Sequence, residues 1–105
     1  MREPKHPCVY IVASGHQGTL YTGVTSDIGT REWEHRMRAG EGFAREHRAT
    51  RLVWFEHHDT MASAIQREKN IKRWYRTWKI ALIEKTNPHW HQLDPETGQC
   101  VESGW

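Results

Sequence analysis

Cysteine is scarce in this sequence, and long apolar runs are absent. The only two cysteines among 105 residues are Cys8 and Cys100, so at most one disulfide could form. No apolar run approaches the roughly 20 residues that a membrane-spanning helix needs, and the first residues have no apolar stretch typical of a signal peptide. These absences favour a cytoplasmic protein whose thiols stay free in a reducing compartment.

The chain is instead rich in aromatic and charged residues. Six tryptophans and three tyrosines offset a low aliphatic content, so a modest core can form. A chain of 105 residues predicts one domain, which we place at residues 1–93. The remaining residues, 94–105, contain proline and glycine without periodicity and are predicted to be an irregular tail.

The charge is unevenly distributed along the chain. Residues 1–85 contain every lysine and arginine and carry a net charge of +5, whereas residues 86–105 carry −3. A basic body suits a polyanion such as nucleic acid, although many unrelated proteins are as basic. Charge alone therefore does not decide the function.

The hydrophobic pattern predicts an α+β fold. Three segments rich in β-branched and aromatic residues read as strands: 9–13, 19–25 and 52–58. Two segments read as helical: 26–40, and 59–87 as two helices with a bend near Thr77. The predicted order is β-β-α-β-α-α, with a small three-stranded, mostly antiparallel sheet flanked by helices.

Glu68 lies at the centre of the apolar stripe of its helix. The other residues within about 60° of it on a helical wheel are Met61, Ala64, Ile65, Ile71, Lys72 and Tyr75. A buried carboxylate needs compensation from a metal ion, a cation or hydrogen-bond donors. The alternatives to a functional site are an ion pair of Glu68 with Arg31 or Lys72, or a position at the edge of the apolar stripe where the carboxylate remains solvated. A carboxylate locked against a lysine would overturn the hydrolytic interpretation and leave only the fold prediction.

Two further sets of residues could handle phosphate. Arg31 and His35 are four residues apart and share a helix face with Ile28, which should point inward. Tyr10 and Tyr21 lie on adjacent predicted strands, where a pair of phenols could orient a water molecule. The alternatives are a solvated charged helix face and two half-buried strand tyrosines.

Taken together, these residues resemble the GIY-YIG nuclease superfamily. The likeness is strongest to its small stand-alone bacterial members, which are related to the N-terminal domain of excision-repair endonucleases. It covers about residues 8–93. The matching elements, in chain order, are Cys8-Val9-Tyr10, Tyr21-Thr22-Gly23, Thr25, Asp27, Ile28, Arg31, Glu34-His35, and the segments 64–74 and 87–90.

The resemblance implies hydrolysis of DNA phosphodiester bonds with one divalent cation, Mg²⁺ (or Mn²⁺). Glu68 would hold the metal, with water and phosphate oxygens completing its shell. Arg31 would neutralise charge on the non-bridging phosphate oxygens. One of Tyr10 and Tyr21 would orient or deprotonate the attacking water, and the other would hydrogen-bond to it. His35 would support the base or position the phosphate.

Some positions depart from the family pattern. Val24 stands where excision-repair relatives carry a lysine, and a phenol that acts as a base needs a nearby cation. Thr30 stands beside Arg31, where stand-alone members often have a second basic residue. Asn87 is a candidate for an accessory asparagine that several relatives use to close the site.

Basic residues at the end of the predicted helix 26–40, on the connector that follows it and on the later helix are candidates for contacts to the DNA backbone. The candidates are Arg36, Arg38, Arg45, Arg48, Lys72 and Arg73. The alternative is a solvated charged face. Four tryptophans are predicted to be core rather than base-stacking residues: Trp33, Trp54, Trp74 and Trp78.

The sequence therefore predicts a metal-dependent DNA endonuclease, with a role in DNA repair or processing. One alternative is a nucleic-acid-binding module with weak or no cleavage, and another is an interaction domain without a nucleic-acid role. A protein partner could supply targeting. The sequence predicts neither a preferred DNA sequence nor an oligomeric state.

Overall fold

The computed structural model describes residues 7–26, 28, 51–94 and 100–101. Of the predicted helix over 26–40, all but two residues lie outside this described part. The strands and helices are β1 (Cys8–Ala13), β2 (Leu20–Thr25), β3 (Arg51–His57), α1 (Met61–Lys72), α2 (Arg76–Thr86), β4 (Gln92–Leu93) and β5 (Cys100–Val101).

The first three strands form one antiparallel sheet in the order β2-β1-β3. The register places Tyr10 of β1 opposite Gly23 of β2 and opposite Phe55 of β3. The predicted α+β fold with a three-stranded antiparallel sheet is confirmed.

The central strand β1 is paired on both edges, and its alternating side chains enter a buried cluster on each face of the sheet. One face carries the buried cluster of Cys8, Tyr10, Val12, Ile28, Leu52 and Leu93, with Tyr21 and Phe55 packed against it. We call this the tyrosine face. The other, the helix face, carries Val9, Ile11, Ala13, Val53, Trp54, Ala64, Ile71, Ile83 and Trp90.

The two helices are separated by a short break. α1 begins after Thr60, whose hydroxyl oxygen accepts the Ser63 backbone N–H at 3.1 Å, and ends before Arg73. α2 begins after Tyr75, which has an extended backbone (φ −61°, ψ 149°). Two helices are confirmed, but the break lies at residues 73–75 rather than near Thr77. Neither described helix is long or apolar enough to cross a membrane.

The loop between β1 and β2 is fixed against α2 and the segment that follows it. The Arg76 guanidinium donates to the backbone carbonyls of Gln17 and Gly18, at 2.5 and 2.7 Å. The Glu84 carboxylate accepts from the Trp90 indole at 2.7 Å and from the Gln17 amide at 3.4 Å. These two bonds, the indole's above all, hold the pKa of Glu84 below its usual value.

Two short strands pair near the end of the chain, where the sequence predicts irregular structure. Gln92–Leu93 pairs with Cys100–Val101 in antiparallel orientation, so the prediction of an irregular segment is wrong at residues 100–101. A two-residue strand is too short to show an alternating pattern of apolar and polar residues in the sequence. It can be recognised only by its pairing with the other strand.

Candidate active site

Tyr10 and Gly23 are in close contact across the β1–β2 ladder. The Tyr10 side chain is 4% exposed, and its ring covers the backbone of Gly23. A Cβ atom added at Gly23 would lie 2.5 Å from the Tyr10 hydroxyl oxygen and 2.6 Å from Cζ. Glycine is therefore required at position 23 for the phenol to keep its place.

We expect Gly23→Ala to lower the free energy of unfolding by about 1–3 kcal/mol, the usual cost of overpacking. Urea denaturation measures this cost. In a Tyr10→Ala background the added methyl group has room, so the same substitution should cost clearly less. An equal cost in both backgrounds would contradict the contact.

The two tyrosines of the predicted site lie together on the tyrosine face. Tyr21 is opposite Val12 and Tyr10 is opposite Gly23, so strand alternation puts both phenols on the same side of the sheet. Their ring centroids are 6.4 Å apart, with a 46° angle between the ring planes. Tyr21 is half-buried, whereas Tyr10 is buried. Tyr21 is therefore the phenol with access to solvent.

Lys72, near the end of α1, connects Tyr21 with Glu68. Its ammonium lies 5.8 Å from the centroid of the Tyr21 ring and 3.0 Å from Oε2 of Glu68. Tyr21 belongs to β2, the outer strand of the sheet, so the connection runs at the β2 edge. A cation therefore lies beside Tyr21 although position 24 is a valine.

Glu68 lies where the helical wheel predicted it, between two fully buried residues, Ala64 and Ile71. Its side chain is only 13% exposed. Of the proposed compensations, the structure shows the ion pair with Lys72. The buried stripe is narrower than predicted, since Ile65 and Tyr75 on its edges are exposed.

The Glu68–Lys72 ion pair joins a shielded carboxylate to an exposed ammonium. The two residues are one helical turn apart, and the Lys72 side chain is 47% exposed. Solvent-exposed pairs at this spacing contribute roughly 0.2–1 kcal/mol. The lysine neutralises the carboxylate, and its exposed side chain has solvent to move into.

The donor atoms at Glu68 suit a hard divalent cation that keeps several of its own water ligands. Within the described residues, no group of three or more His, Cys, Asp or Glu side chains is arranged to hold a metal. The Glu68 carboxylate supplies oxygen ligands only. That set fits Mg²⁺ or Mn²⁺ completed by water and phosphate, and does not fit a closed zinc site.

Asn87 is the predicted accessory residue that the structure does not bring to the phenols. Its side chain is buried and bonded to backbone groups: Nδ2 donates to the carbonyls of Val53 and His91, at 3.0 and 2.8 Å, and Oδ1 accepts the His91 N–H at 3.0 Å. These bonds join the end of α2 to β3 and to the chain leading into β4. They give Asn87 a structural role.

Most of the other predicted site residues fall outside the described part of the chain: Arg31, His35, Arg36, Arg38, Arg45 and Arg48. Arg73 is described, and it is exposed at the C-terminal cap of α1. It lies one residue after Lys72, at the same end of the helix.

Cys8 is close to Tyr10 on the tyrosine face but is not a nucleophile. It is a free cysteine and fully buried. Burial raises the pKa of its thiol to about 12, so the thiol stays protonated at neutral pH.

The tryptophans divide between the core and the surface. Trp54 is buried and Trp74 is half-buried, as expected. Trp78, in contrast, is 53% exposed, and its ring contacts that of the exposed Tyr75 edge-on, with the ring centroids 5.0 Å apart. The prediction of a core position for Trp78 is wrong, because α2 fully buries only Ile83.

A family model described as the GIY-YIG catalytic domain matches residues 6–81. The chain belongs to the GIY-YIG family. This GIY-YIG protein is also 35% identical over 77 residues to UPF0213 proteins of Staphylococcus aureus, including those of strains N315 and COL. The match covers 73% of this chain and 93% of each relative. No solved structure matches the chain significantly.

Family membership makes this a nuclease-type domain, and the fold agrees with the GIY-YIG fold. Tyr10 lies on β1 and Tyr21-Thr22-Gly23 on β2, the two strands predicted to carry the elements that resemble the family motifs. The four-residue spacing of Glu68 and Lys72 predicted their ion pair as one alternative. The contact of Lys72 with the Tyr21 ring was not predicted, because it joins residues that are far apart in the sequence.

Proposed function

We propose that this GIY-YIG protein is a divalent-metal-dependent endonuclease that hydrolyses phosphodiester bonds in DNA, in repair or another DNA-processing step. The observation that carries the proposal is the position of Tyr21. It is half-buried, 6.4 Å from Tyr10 between ring centroids, and next to the Lys72–Glu68 pair. A water-accessible phenol, a carboxylate and an ammonium thus lie along one edge of the sheet.

Tyr21 is the phenol that orients or deprotonates the attacking water, because it is the more accessible of the two. Tyr10 is buried against Gly23, and from this position it holds Tyr21 in place. This difference in burial supports assigning the water to Tyr21, a choice that the sequence alone left open between the two tyrosines. By the family resemblance, Arg31 would neutralise the non-bridging phosphate oxygens, and His35 would support the base or position the phosphate.

Glu68 would hold a single Mg²⁺ or Mn²⁺ ion. The bound metal would supply Lewis-acid stabilisation of the charge that develops on the phosphate and leaving oxygens. Glu68 is suited to this role because its carboxylate is mostly shielded from solvent while its partner, the Lys72 side chain, is exposed and can give way.

Removal of the metal tests the proposal directly. Purified protein incubated with supercoiled plasmid should nick it in Mg²⁺ or Mn²⁺, lose the activity on addition of EDTA, and regain it when excess metal is restored. Product formation on an agarose gel measures the rate. Nicking that continues in EDTA would contradict a divalent-metal requirement.

One observation favours a second candidate, a nucleic-acid-binding module that cleaves poorly. Glu68 is paired with Lys72, which is the arrangement that argues against hydrolysis. In this case the protein would bind DNA with an affinity that falls as salt rises, and Glu68→Gln would leave that binding unchanged. Cleavage would be absent in every metal tested.

A further inference from the structure

We infer that Lys72 couples metal binding to DNA binding, because its ammonium occupies the Glu68 carboxylate until a divalent cation displaces it and it then contacts a DNA phosphate. The inference rests on the proposed function, since it takes Glu68 as the metal ligand. Lys72 then has a positioning role with two successive partners, first the Glu68 carboxylate and then a DNA phosphate.

The first partner follows from the contacts of Lys72. Its Nζ atom is 3.0 Å from Oε2 of Glu68, close enough for a charge-assisted hydrogen bond. A metal ion bound to the same carboxylate would place two like charges within a few ångströms of each other. The ammonium must therefore move when the metal binds, and the 47% exposure of the side chain leaves room for this movement.

The second partner follows from the surroundings of Lys72. The ammonium already lies over the Tyr21 ring, beside the phenol assigned to the attacking water. On α2, Lys79 is close enough to Lys72 for their charges to repel: after burial and the charge of Arg76, repulsion from Lys72 contributes to lowering the pKa of Lys79. Two neighbouring ammonium groups attract an anionic group, and DNA supplies a phosphate.

Because the first contact must break before the second can form, the metal and DNA should bind cooperatively. Binding of either ligand removes an interaction that opposes the other, and the coupling is reciprocal. We expect the affinity of the protein for a short DNA duplex to rise when Ca²⁺ is present, under conditions in which no cleavage product forms. In Lys72→Met this rise should be smaller by about two- to fivefold, the strength of such an ion pair.

The affinity for the metal alone gives a readout that does not depend on activity. Without DNA, Lys72→Met should bind Mn²⁺ about two- to fivefold more tightly than the wild-type protein, because no ammonium has to be displaced. Electron paramagnetic resonance of free Mn²⁺ measures this affinity. Lys72→Arg keeps the cation and should behave like the wild-type protein.

Lys69→Met is the matched control. Like Lys72→Met, it removes one positive charge from α1, but at an exposed position outside the Glu68 ion pair. Lys69→Met should therefore show only the general effect of protein charge on Mn²⁺ affinity. Equal Mn²⁺ affinities for Lys72→Met and Lys69→Met would overturn the inference, as would unchanged cooperativity in Lys72→Met. Circular dichroism checks that both variants remain folded.

Glu68→Gln separates this inference from the proposed function. If Glu68→Gln binds Mn²⁺ as tightly as the wild-type protein, Glu68 is not the ligand and the proposed metal site itself is wrong. If Glu68→Gln loses the metal while Lys72→Met and Lys69→Met remain equal, only the coupling by Lys72 is wrong.

Discussion

Glu68→Gln should lower the rate of DNA cleavage by roughly 10²–10³-fold, because the metal would contribute several kcal/mol of transition-state stabilisation. Glutamine has nearly the same shape as glutamate, so the packing beside Ala64 and Ile71 is kept. Single-turnover cleavage of a labelled DNA in saturating Mg²⁺ measures the loss. DNA affinity, measured by fluorescence anisotropy, should change little.

Asp59→Asn is the matched control for this experiment. Asp59 is an exposed acid just before α1, and its substitution by asparagine removes the same charge as Glu68→Gln. Cleavage by Asp59→Asn should stay close to that of the wild-type protein. A Glu68→Gln protein that cleaves at the wild-type rate would exclude Glu68 from the chemistry and favour the interpretation of its ion pair as purely structural.

Tyr21→Phe should have the second large effect, a loss of about 10²–10⁴ in cleavage rate, the usual contribution of a positioned general base. The substitution removes only the hydroxyl group, so the aromatic contact with Tyr10 and the ring beneath Lys72 remain. Measurement under single-turnover conditions separates this loss from any change in DNA affinity. Metal affinity should stay unchanged.

Two other tyrosines control this result. Tyr75 is 71% exposed at the break between the helices, and Tyr75→Phe should cleave at nearly the wild-type rate. Tyr10→Phe should lose less activity than Tyr21→Phe, since the Tyr10 hydroxyl is buried over Gly23. A greater loss in Tyr10→Phe would reverse the roles assigned to the two phenols.

Much of the fold could be predicted because its signals are local. The strands follow runs of β-branched and aromatic residues, and β1 and β2 are joined by a short loop with two glycines. Helical periodicity placed Glu68 among apolar neighbours before any contact was known. The break between α1 and α2 was misplaced because the extended backbone of Tyr75 has no proline or glycine to mark it.

The residues that could not be predicted owe their positions to distant partners. The sequence makes Asn87 a candidate accessory residue of the site, but its side-chain amide donates hydrogen bonds to the backbone carbonyls of Val53 and His91. Trp78 was expected in the core, but α2 turns it toward solvent. No local pattern distinguishes a buried structural asparagine from an accessory one, because the difference lies in what the fold brings against it.

By itself, the sequence determined the family, the hairpin that carries the two tyrosines, and the helix that buries an acid. These features depend on residue type and on spacing along the chain, which the sequence contains in full. Only the tertiary structure decided that Lys72 bridges Glu68 and Tyr21 and that Tyr10 lies over Gly23. Both contacts join separate elements, so they depend on the strand register and on how α1 packs along the β2 edge.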